Sequence, residues 1–199
     1  MKDLQLSMRA VIATERKALE ALEQCEWDES ALRALSECKG RIVFLGVGKS
    51  GHVGKKLAAT FASLGVRSIF VHATEAMHGD LGMLAAEDVA VLLSNSGSTK
   101  EVTQCVAPIR ALGVTTLALS SKADSPLATA CDHKLIYPAL AEADGLGLAP
   151  TTSSTLMLAL GDALACALSK AKGFTRADFH AFHPNGALGE MLAKEQNNG

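Results

Sequence analysis

Short, wholly apolar runs alternate with segments of helical periodicity along most of this chain. Runs such as 89–94 (VAVLLS) and 114–120 (VTTLALS) lack the polar face that a half-exposed strand would show. Strands that are apolar on both faces are typical of a parallel sheet covered by helices on each side. Five such runs predict strands at 41–45, 67–72, 89–94, 114–120 and 133–137. The predicted fold is therefore α/β, a three-layer αβα sandwich with a five-stranded parallel sheet.

Apolar residues at helical spacing predict helices around these strands. They are predicted at 3–24 and 29–38, from about Val53 to Leu64, near 75–84, at 99–112 and 124–131, from 151–154 to 170–173, near Thr175 and after His183. The long helix has hydroxyl residues at its start and cations with a glycine at its end, which are typical caps. No repeat or linker divides the chain. We expect one domain of 1–199, with an N-terminal helical segment 1–39 and an α/β core 40–194.

Composition excludes several classes of protein. A hydrophobic content of 48% with 20% charged residues indicates a folded domain. A formal charge of -2, scattered cations and only 4% aromatic residues argue against a nucleic-acid partner. The most apolar stretch, 156–168, contains Gly161 and Asp162 and is too short for a membrane span, and the N-terminus has no signal-peptide pattern. We expect a cytoplasmic protein with neither nucleic-acid nor membrane partners.

Cysteine usage agrees with a reducing compartment. The five cysteines, at 25, 38, 105, 131 and 166, are odd in number, dispersed and without CxxC pairing. We interpret them as reduced, buried thiols. A catalytic cysteine stays open as an alternative, although none lies in a glycine-rich or cationic loop that would lower its pKa.

The loop after the first predicted strand, 46–51 (GVGKSG), is a candidate ligand site, because ligands of parallel α/β sheets bind at the carboxyl ends of strands. Its GxGxxG pattern permits a dinucleotide site, but the second strand does not end in the expected acidic residue. A Walker A loop is excluded because Val43 stands where a glycine is required. A tight packing turn is the other alternative. The candidates here are Gly48, Lys49 and Ser50, since a packing turn needs no ammonium group.

The loop after the third predicted strand, 94–101 (SNSGSTKE), places four hydroxyl residues before a helix. Hydroxyls and free backbone N–H groups at such a position suit a phosphate monoester. The alternative is that they serve only as N-caps, but one cap needs one hydroxyl. The cluster therefore favours a phosphate site.

Several motifs, in this order and spacing, resemble the sugar isomerase (SIS) domain of bacterial arabinose-5-phosphate isomerases. They are GVGKSGHVGKKLAATFASLG, EAMHGDLGML, SNSGSTKE, EADGLGLAPTTSSTLMLALGDALA and HPNGALG. The resemblance covers about 40–192. It departs from the family pattern at HPNG for HPGG, at SNSGS for SNSGE, and at Asp144-Gly145 for cysteine-proline. Most members carry paired CBS domains after this region, whereas this sequence ends near the point where those domains would begin. We therefore expect a stand-alone SIS isomerase.

The resemblance implies roles for individual residues. The phosphate would be held by Ser50, Ser94, Ser96 and Thr99, with His78 nearby, and the active-site matches are Lys49, Glu101, Glu142 and His183. Aldose–ketose isomerisation needs a base to move a proton between two carbons and a group to stabilise the enediolate, which suits glutamate, lysine and histidine.

Simpler interpretations of these residues stay open. Glu101 could only cap its helix, Glu142 could be a solvated loop carboxylate, and His183 could only orient the loop before Pro184. A metal site from His78 and Asp80 has no supporting ligand spacing, so no metal is expected.

The resemblance implies a cofactor-free enzyme that interconverts D-arabinose 5-phosphate and D-ribulose 5-phosphate and feeds 3-deoxy-octulosonate synthesis for lipopolysaccharide or capsule. Its small-molecule partner would be a sugar phosphate. The alternatives are a non-catalytic sugar-phosphate-binding regulator and an isomerase of a related heptose or hexulose phosphate. Surplus apolar stripes on the first and long helices favour a homo-oligomer, and the resemblance implies a tetramer with His183 entering a neighbour's site.

Overall fold

The predicted alternation of strands and helices is present in the structure, a computed structural model that describes residues 2–183. The strands are β1 (Ile42–Gly46), β2 (Ser68–His72), β3 (Val89–Leu93), β4 (Thr115–Ser120) and β5 (His133–Ile136). The helices are α1 (Lys2–Glu23), α2 (Glu29–Ser36), α3 (Gly48–Ser63), α4 (Ala73–Ala76), α5 (Lys100–Thr103), α6 (Val106–Ala111), α7 (Pro126–Ala130), α8 (Thr152–Ala171) and α9 (Arg176–Phe182). A 3₁₀ turn, Asp80–Met83, follows α4. The helix predicted after His183 lies outside the described residues.

All five strands are parallel and lie in the order β2-β1-β3-β4-β5. Alternate residues of each central strand enter two separate cores, as the pleat requires. Phe44 and Val91 pack under α1, α2, α3 and α8, whereas Val43 and Leu92 pack under α4, α5, α6 and α7. The three-layer sandwich with a five-stranded parallel sheet is confirmed.

Two helical predictions need correction. The helix predicted at 99–112 is divided into α5 and α6, with Gln104 and Cys105 between them. Pro108 explains the break, because it has no N–H to donate to Gln104 and its ring crowds that carbonyl. The helix predicted near 75–84 consists of α4 and the 3₁₀ turn, separated at Gly79, whose φ is +124°.

The long helix α8 belongs to the core of its own subunit. Leu156, Leu160 and Leu168 are buried, and Leu164 is half-buried and packs against the same core. The apolar stripe of this helix therefore faces its own chain, and it does not support association of subunits as the sequence suggested. Gly161 permits close packing on α3, since a Cβ there would lie 2.3 Å from a Leu57 methyl carbon. By length and mean hydropathy alone α8 could cross a membrane, but half of its apolar window is buried inside the protein, as is usual for a core helix.

The opening helix α1 contacts the rest of the chain mainly through its second half. Ala18 and Leu22 are buried against the core that includes α8. Six larger apolar side chains of α1 are exposed: Leu4, Leu6, Met8, Val11, Ile12 and Leu19. This exposed stripe favours the predicted association of subunits, because contiguous apolar surface is commonly an interface. The oligomeric state itself stays a prediction.

A buried carboxylate fixes the amino ends of two central strands to each other. Asp88 Oδ1 accepts from the backbone N of Arg41 at 2.7 Å, and Oδ2 accepts from Ala85 N at 3.0 Å and from the Arg41 guanidinium at 3.2 Å. Burial raises the pKa of Asp88, but these hydrogen bonds and the charge of Arg41 outweigh it, so the pKa lies below its usual value. The ionised carboxylate therefore stabilises the fold.

Replacing Asp88 with asparagine should lower the free energy of unfolding by about 1–3 kcal/mol at neutral pH, because hydrogen bonds to a buried charge are lost. A group with a lowered folded-state pKa contributes stability above its unfolded-state pKa and loses it as the pH falls through its folded-state pKa. The difference between the two proteins in urea unfolding should therefore shrink in acid. Equal stability at pH 7 would contradict this role.

Candidate active site

The loops after β1 and β3 lie side by side at the carboxyl edge of the sheet, because β1 and β3 are paired neighbours. The chain leaves β1 toward β2 on one side and leaves β3 toward β4 on the other. A parallel sheet opens a ligand crevice where the connections diverge in this way. Helix α3 begins in the first loop, on one face of the sheet, and α5 begins directly after the second, on the opposite face.

The first loop is shorter than predicted, because α3 already begins at Gly48 and carries Lys49 and Ser50 in its first turn. Gly48 has a φ of +55°, which favours glycine, while a Cβ on Gly51 would lie 3.2 Å from the carbonyl oxygen of Gly46. Part of the glycine pattern therefore serves close packing. No side chain in the described part of the chain caps α3, which leaves its first N–H groups open to a ligand. Lys49 is exposed and Ser50 is half-buried.

The hydroxyl groups of the second loop bond to one another and to the loop backbone. Ser94 Oγ is 2.8 Å from Thr99 Oγ1 and accepts from Gly97 N at 3.1 Å. Ser96 is exposed, and its Oγ accepts from Ser98 N at 3.2 Å. Thr99 precedes α5 but its side chain does not cap that helix. The alternative that these hydroxyls serve only as N-caps is therefore wrong for Thr99.

Sequence reasoning missed the residues that hold this loop in place. The Asn95 carbonyl accepts from Ser120 Oγ at 3.1 Å and from Ser121 Oγ at 2.8 Å, and Asn95 Oδ1 accepts from Tyr137 OH at 3.0 Å. Tyr137 is buried, and its pKa is raised by that burial and by the negative charge of Glu142. The available signal was the serine-rich end of the fourth strand, which reaches the same edge of the sheet.

Glu142 occupies the N-terminus of α8. Its Oε2 accepts from Thr151 N at 2.7 Å, from Thr151 Oγ1 at 3.2 Å and from Ser153 N at 3.2 Å. Burial raises the pKa of Glu142, but the hydrogen bonds from Ser153 and Thr151 outweigh it and lower the pKa below its usual value. The solvated-carboxylate interpretation is wrong. The predicted hydroxyl cap is also corrected, because Glu142 and not the Thr151 hydroxyl accepts from the first turn.

Glu101 lies in the first turn of α5 and is exposed. Within residues 2–183 its carboxylate has neither a hydrogen bond nor an ion pair, so the structure does not support a role limited to capping the helix. Its side chain is therefore available to a ligand in the crevice.

His183 is remote from these loops within one chain. It ends α9, its Nδ1 lies 2.9 Å from the Phe179 carbonyl oxygen, and its ring stacks on Phe179 with centroids 4.0 Å apart. It lines a surface cavity together with Ala62 and Ser63, at the C-terminal end of α3. Lys49 and Ser63 are separated by nearly the whole helix, about 20 Å at 1.5 Å per residue. A single chain therefore does not bring His183 and Lys49 together.

The structure assigns no role to the other candidates from the sequence, which are His78, a metal site and a catalytic cysteine. His78 is exposed beside Gly79. Among the described residues, no group of three or more His, Cys, Asp or Glu side chains could hold a metal ion. The five cysteines are free, as predicted, but the prediction that they are buried is confirmed only for Cys105, because Cys166 is exposed and the other three are half-buried. Burial raises the pKa of Cys105 to about 11 and that of Cys131 to about 12, which disfavours the nucleophilic thiolate.

Comparison with known proteins adds close relatives. The chain is 46% identical over 192 residues to arabinose 5-phosphate isomerase KdsD of Escherichia coli (strain K12). The aligned region covers 96% of this chain and 58% of that protein. The protein of the same name from Pseudomonas aeruginosa is 48% identical over 188 residues, with 94% and 58% covered. The chain thus spans somewhat more than half the length of these curated relatives.

The fold and the family also have direct matches. The solved structure of E. coli CFT073 c3406 in complex with arabinose 5-phosphate superposes with a TM-score of 0.89 at 46% identity, covering 92% of this chain and 98% of that one. The family model described as the SIS domain matches residues 34–167. Because that model spans more than half of the chain and the solved relative aligns along nearly all of it, the chain belongs to the SIS domain family.

Proposed function

We propose that this protein is an aldose–ketose isomerase that interconverts D-arabinose 5-phosphate and D-ribulose 5-phosphate. The observation that carries the proposal is the meeting of two loops at one crevice, a hydroxyl-rich one at 94–99 and the uncapped start of α3 with Lys49. The names of the KdsD relatives and the sugar-phosphate complex of c3406 support this choice of substrate. No organic cofactor or metal ion is part of the proposal.

The phosphate group would lie between the two loops. Ser96 and Ser50 offer hydroxyls that are not buried, and the first N–H groups of α3 add the positive end of a helix of 16 residues. Ser94 is buried and bonded to Thr99, so it would act mainly by orienting the Thr99 hydroxyl. Such a site binds a dianion without a metal ion.

For the chemistry, we assign Glu142 as the base that takes the proton from C2 of the aldose. The C–H electrons form the C1–C2 double bond and the carbonyl becomes the enediolate oxyanion, which the Lys49 ammonium would stabilise. The proton then returns to C1 while the O2 hydroxyl proton is transferred to O1, a transfer suited to His183. Glu101, at the phosphate loop, would orient Lys49 or a substrate hydroxyl.

Assembly is part of this proposal. Because His183 lines a cavity at the C-terminal end of α3 and Lys49 lies in the first turn of that helix, about 20 Å away along its axis, we assign His183 to the site of a neighbouring subunit in a homotetramer. Helix α1 offers an exposed apolar stripe for such association. We further propose a cytoplasmic location and a supply of arabinose 5-phosphate to 3-deoxy-octulosonate synthesis.

The direct test is to incubate the purified protein with D-ribulose 5-phosphate and to follow the appearance of D-arabinose 5-phosphate by NMR. Turnover without added metal or cofactor is the expected result. Binding of the sugar phosphate without turnover would favour the regulator alternative, and turnover only of a hexulose or heptose phosphate would reassign the substrate.

Replacing Ser96 or Thr99 with alanine should mainly raise KM, because each change removes a hydroxyl assigned to the phosphate. The cost should be about 1–3 kcal/mol of binding for a lost hydrogen bond to a charged group. Steady-state kinetics of both variants provide the measurement, with Ser36→Ala, an exposed hydroxyl at the end of α2, as control. Unchanged KM in both variants would remove these residues from the phosphate site.

A further inference from the structure

A second carboxylate, that of Asp144, closes a tight turn just after Glu142. Both Asp144 oxygens accept from the backbone N of Leu148, at 3.0 and 3.2 Å. The backbone N of Gly147 donates to the Asp144 carbonyl oxygen at 3.1 Å, and Gly147 has a φ of +67°. Side chain and backbone of one residue therefore define the turn 144–148.

This turn lies inside a larger ring of hydrogen bonds that contains Glu142. The backbone N of Ala143 donates to Thr151 Oγ1 at 2.9 Å, while Thr151 N donates to Glu142 Oε2 at 2.7 Å. The chain segment from β5 to α8 has neither helix nor strand, so no backbone ladder positions Glu142. The turn between Ala143 and Thr151 consequently determines whether the Glu142 carboxylate can accept hydrogen bonds from the first N–H groups of α8.

We propose that Asp144 is a positioning residue for Glu142, because its carboxylate closes the turn that brings Glu142 onto the first N–H groups of α8. The kinetic consequences rest on the proposed isomerase function, but the geometry does not depend on it. Asp144 itself need not touch the substrate.

The charges around the turn agree with this role. Desolvation raises the pKa of Asp144, but the backbone N–H groups of residues 146–149 outweigh it and the pKa is lowered, so the carboxylate is ionised at neutral pH. Opening the turn would remove donors from Glu142, and the pKa of Glu142 would then rise toward its usual value. Within residues 2–183, the other charged or titratable groups facing this region are Tyr137, Glu15 and Lys17. Glu15 Oε1 accepts from Thr152 Oγ1 at 3.1 Å, and Lys17 lines a cavity together with Ala141 and Thr152.

The test compares Asp144→Ala with Asp144→Asn in the full chain. Asparagine keeps an oxygen that can accept from Leu148 N, so it should retain most of the wild-type kcat, whereas alanine should lower kcat about three- to tenfold with KM nearly unchanged. The acid limb of the kcat/KM profile should move to higher pH in the alanine variant. Asp28→Ala is the matched control, because the Asp28 carboxylate likewise accepts from a nearby backbone N–H, at 2.9 Å from Ser30 N, but caps α2.

A second measurement does not require activity. Carbon-13 NMR titration of the Glu142 carboxyl should show a higher pKa in Asp144→Ala than in the wild type, and no change in Asp28→Ala. An unchanged Glu142 titration, or an alanine variant with wild-type kcat and pH profile, would overturn the proposal. A wild-type protein without isomerase activity would contradict the proposed function instead, and the titration would still decide the role of Asp144.

Discussion

Replacing Glu142 with glutamine is expected to lower kcat by about 10²–10⁴ with little change in KM, as for loss of a general base. The amide oxygen of glutamine can still accept from Thr151 N and Ser153 N, which now bind the carboxylate. The variant should therefore keep the cap of α8 and its fold. Activity followed by NMR and thermal unfolding of the same samples separate chemistry from stability.

Glu101→Gln is the matched control for this change, since Glu101 is exposed and has no hydrogen bond from its side chain in the described part of the chain. Its effect should be smaller, and it should leave exchange of the substrate C–H hydrogen with deuterated water intact. If Glu101→Gln alone abolishes that exchange while Glu142→Gln retains it, Glu101 is the carbon base.

The lowered pKa of Glu142 adds a further expectation for the wild-type enzyme. Because Glu142 stays ionised to a lower pH than an ordinary glutamate, the acid limb of the kcat/KM profile should lie below the usual pKa range of a glutamate.

Mixing an inactive Lys49→Ala protein with an inactive His183→Ala protein is expected to restore activity when subunits exchange. Within one chain the two residues are separated by nearly the length of α3. A site that contains both residues must therefore take them from two different chains. Random exchange of equal amounts would leave about a quarter of such shared sites intact. The measurement is activity before and after exchange, with subunit exchange verified by mass spectrometry of isotope-labelled protein.

Lys49→Ala mixed with Glu142→Gln serves as the control pair, because both residues lie at the carboxyl edge of the same sheet and should belong to one chain's site. This mixture should stay inactive. Failure of the Lys49 and His183 pair to recover despite verified exchange would assign both residues to one subunit's site. A monomeric mass by light scattering would contradict the shared-site arrangement altogether.

The sequence alone determined the layers of this protein and the loops that carry its candidate chemistry. Apolar runs without a polar face, such as 89–94, require cover on both sides, and this property is local enough to predict a parallel sheet. Parallel strands place the loops after β1 and β3 at one edge, so Lys49, Ser50 and the serine-rich loop can be identified without coordinates. Pro108 could also have predicted the break between α5 and α6 from the sequence. The apolar spacing of 99–112 is helical on both sides of the break, so periodicity alone predicted one continuous helix.

Only the tertiary structure decided what the side chains do there. That Glu142 caps α8, that Tyr137 holds Asn95, and that Asp144 closes a turn beside Glu142 depend on contacts whose partners no periodicity specifies. The distance between His183 and Lys49 is likewise a property of the assembled fold, because it follows from the length of α3 and the docking of α9 at its far end. Local sequence determines which helices and strands form and at which edge of the sheet their loops lie. The packing of the whole chain determines which polar groups form hydrogen bonds with one another.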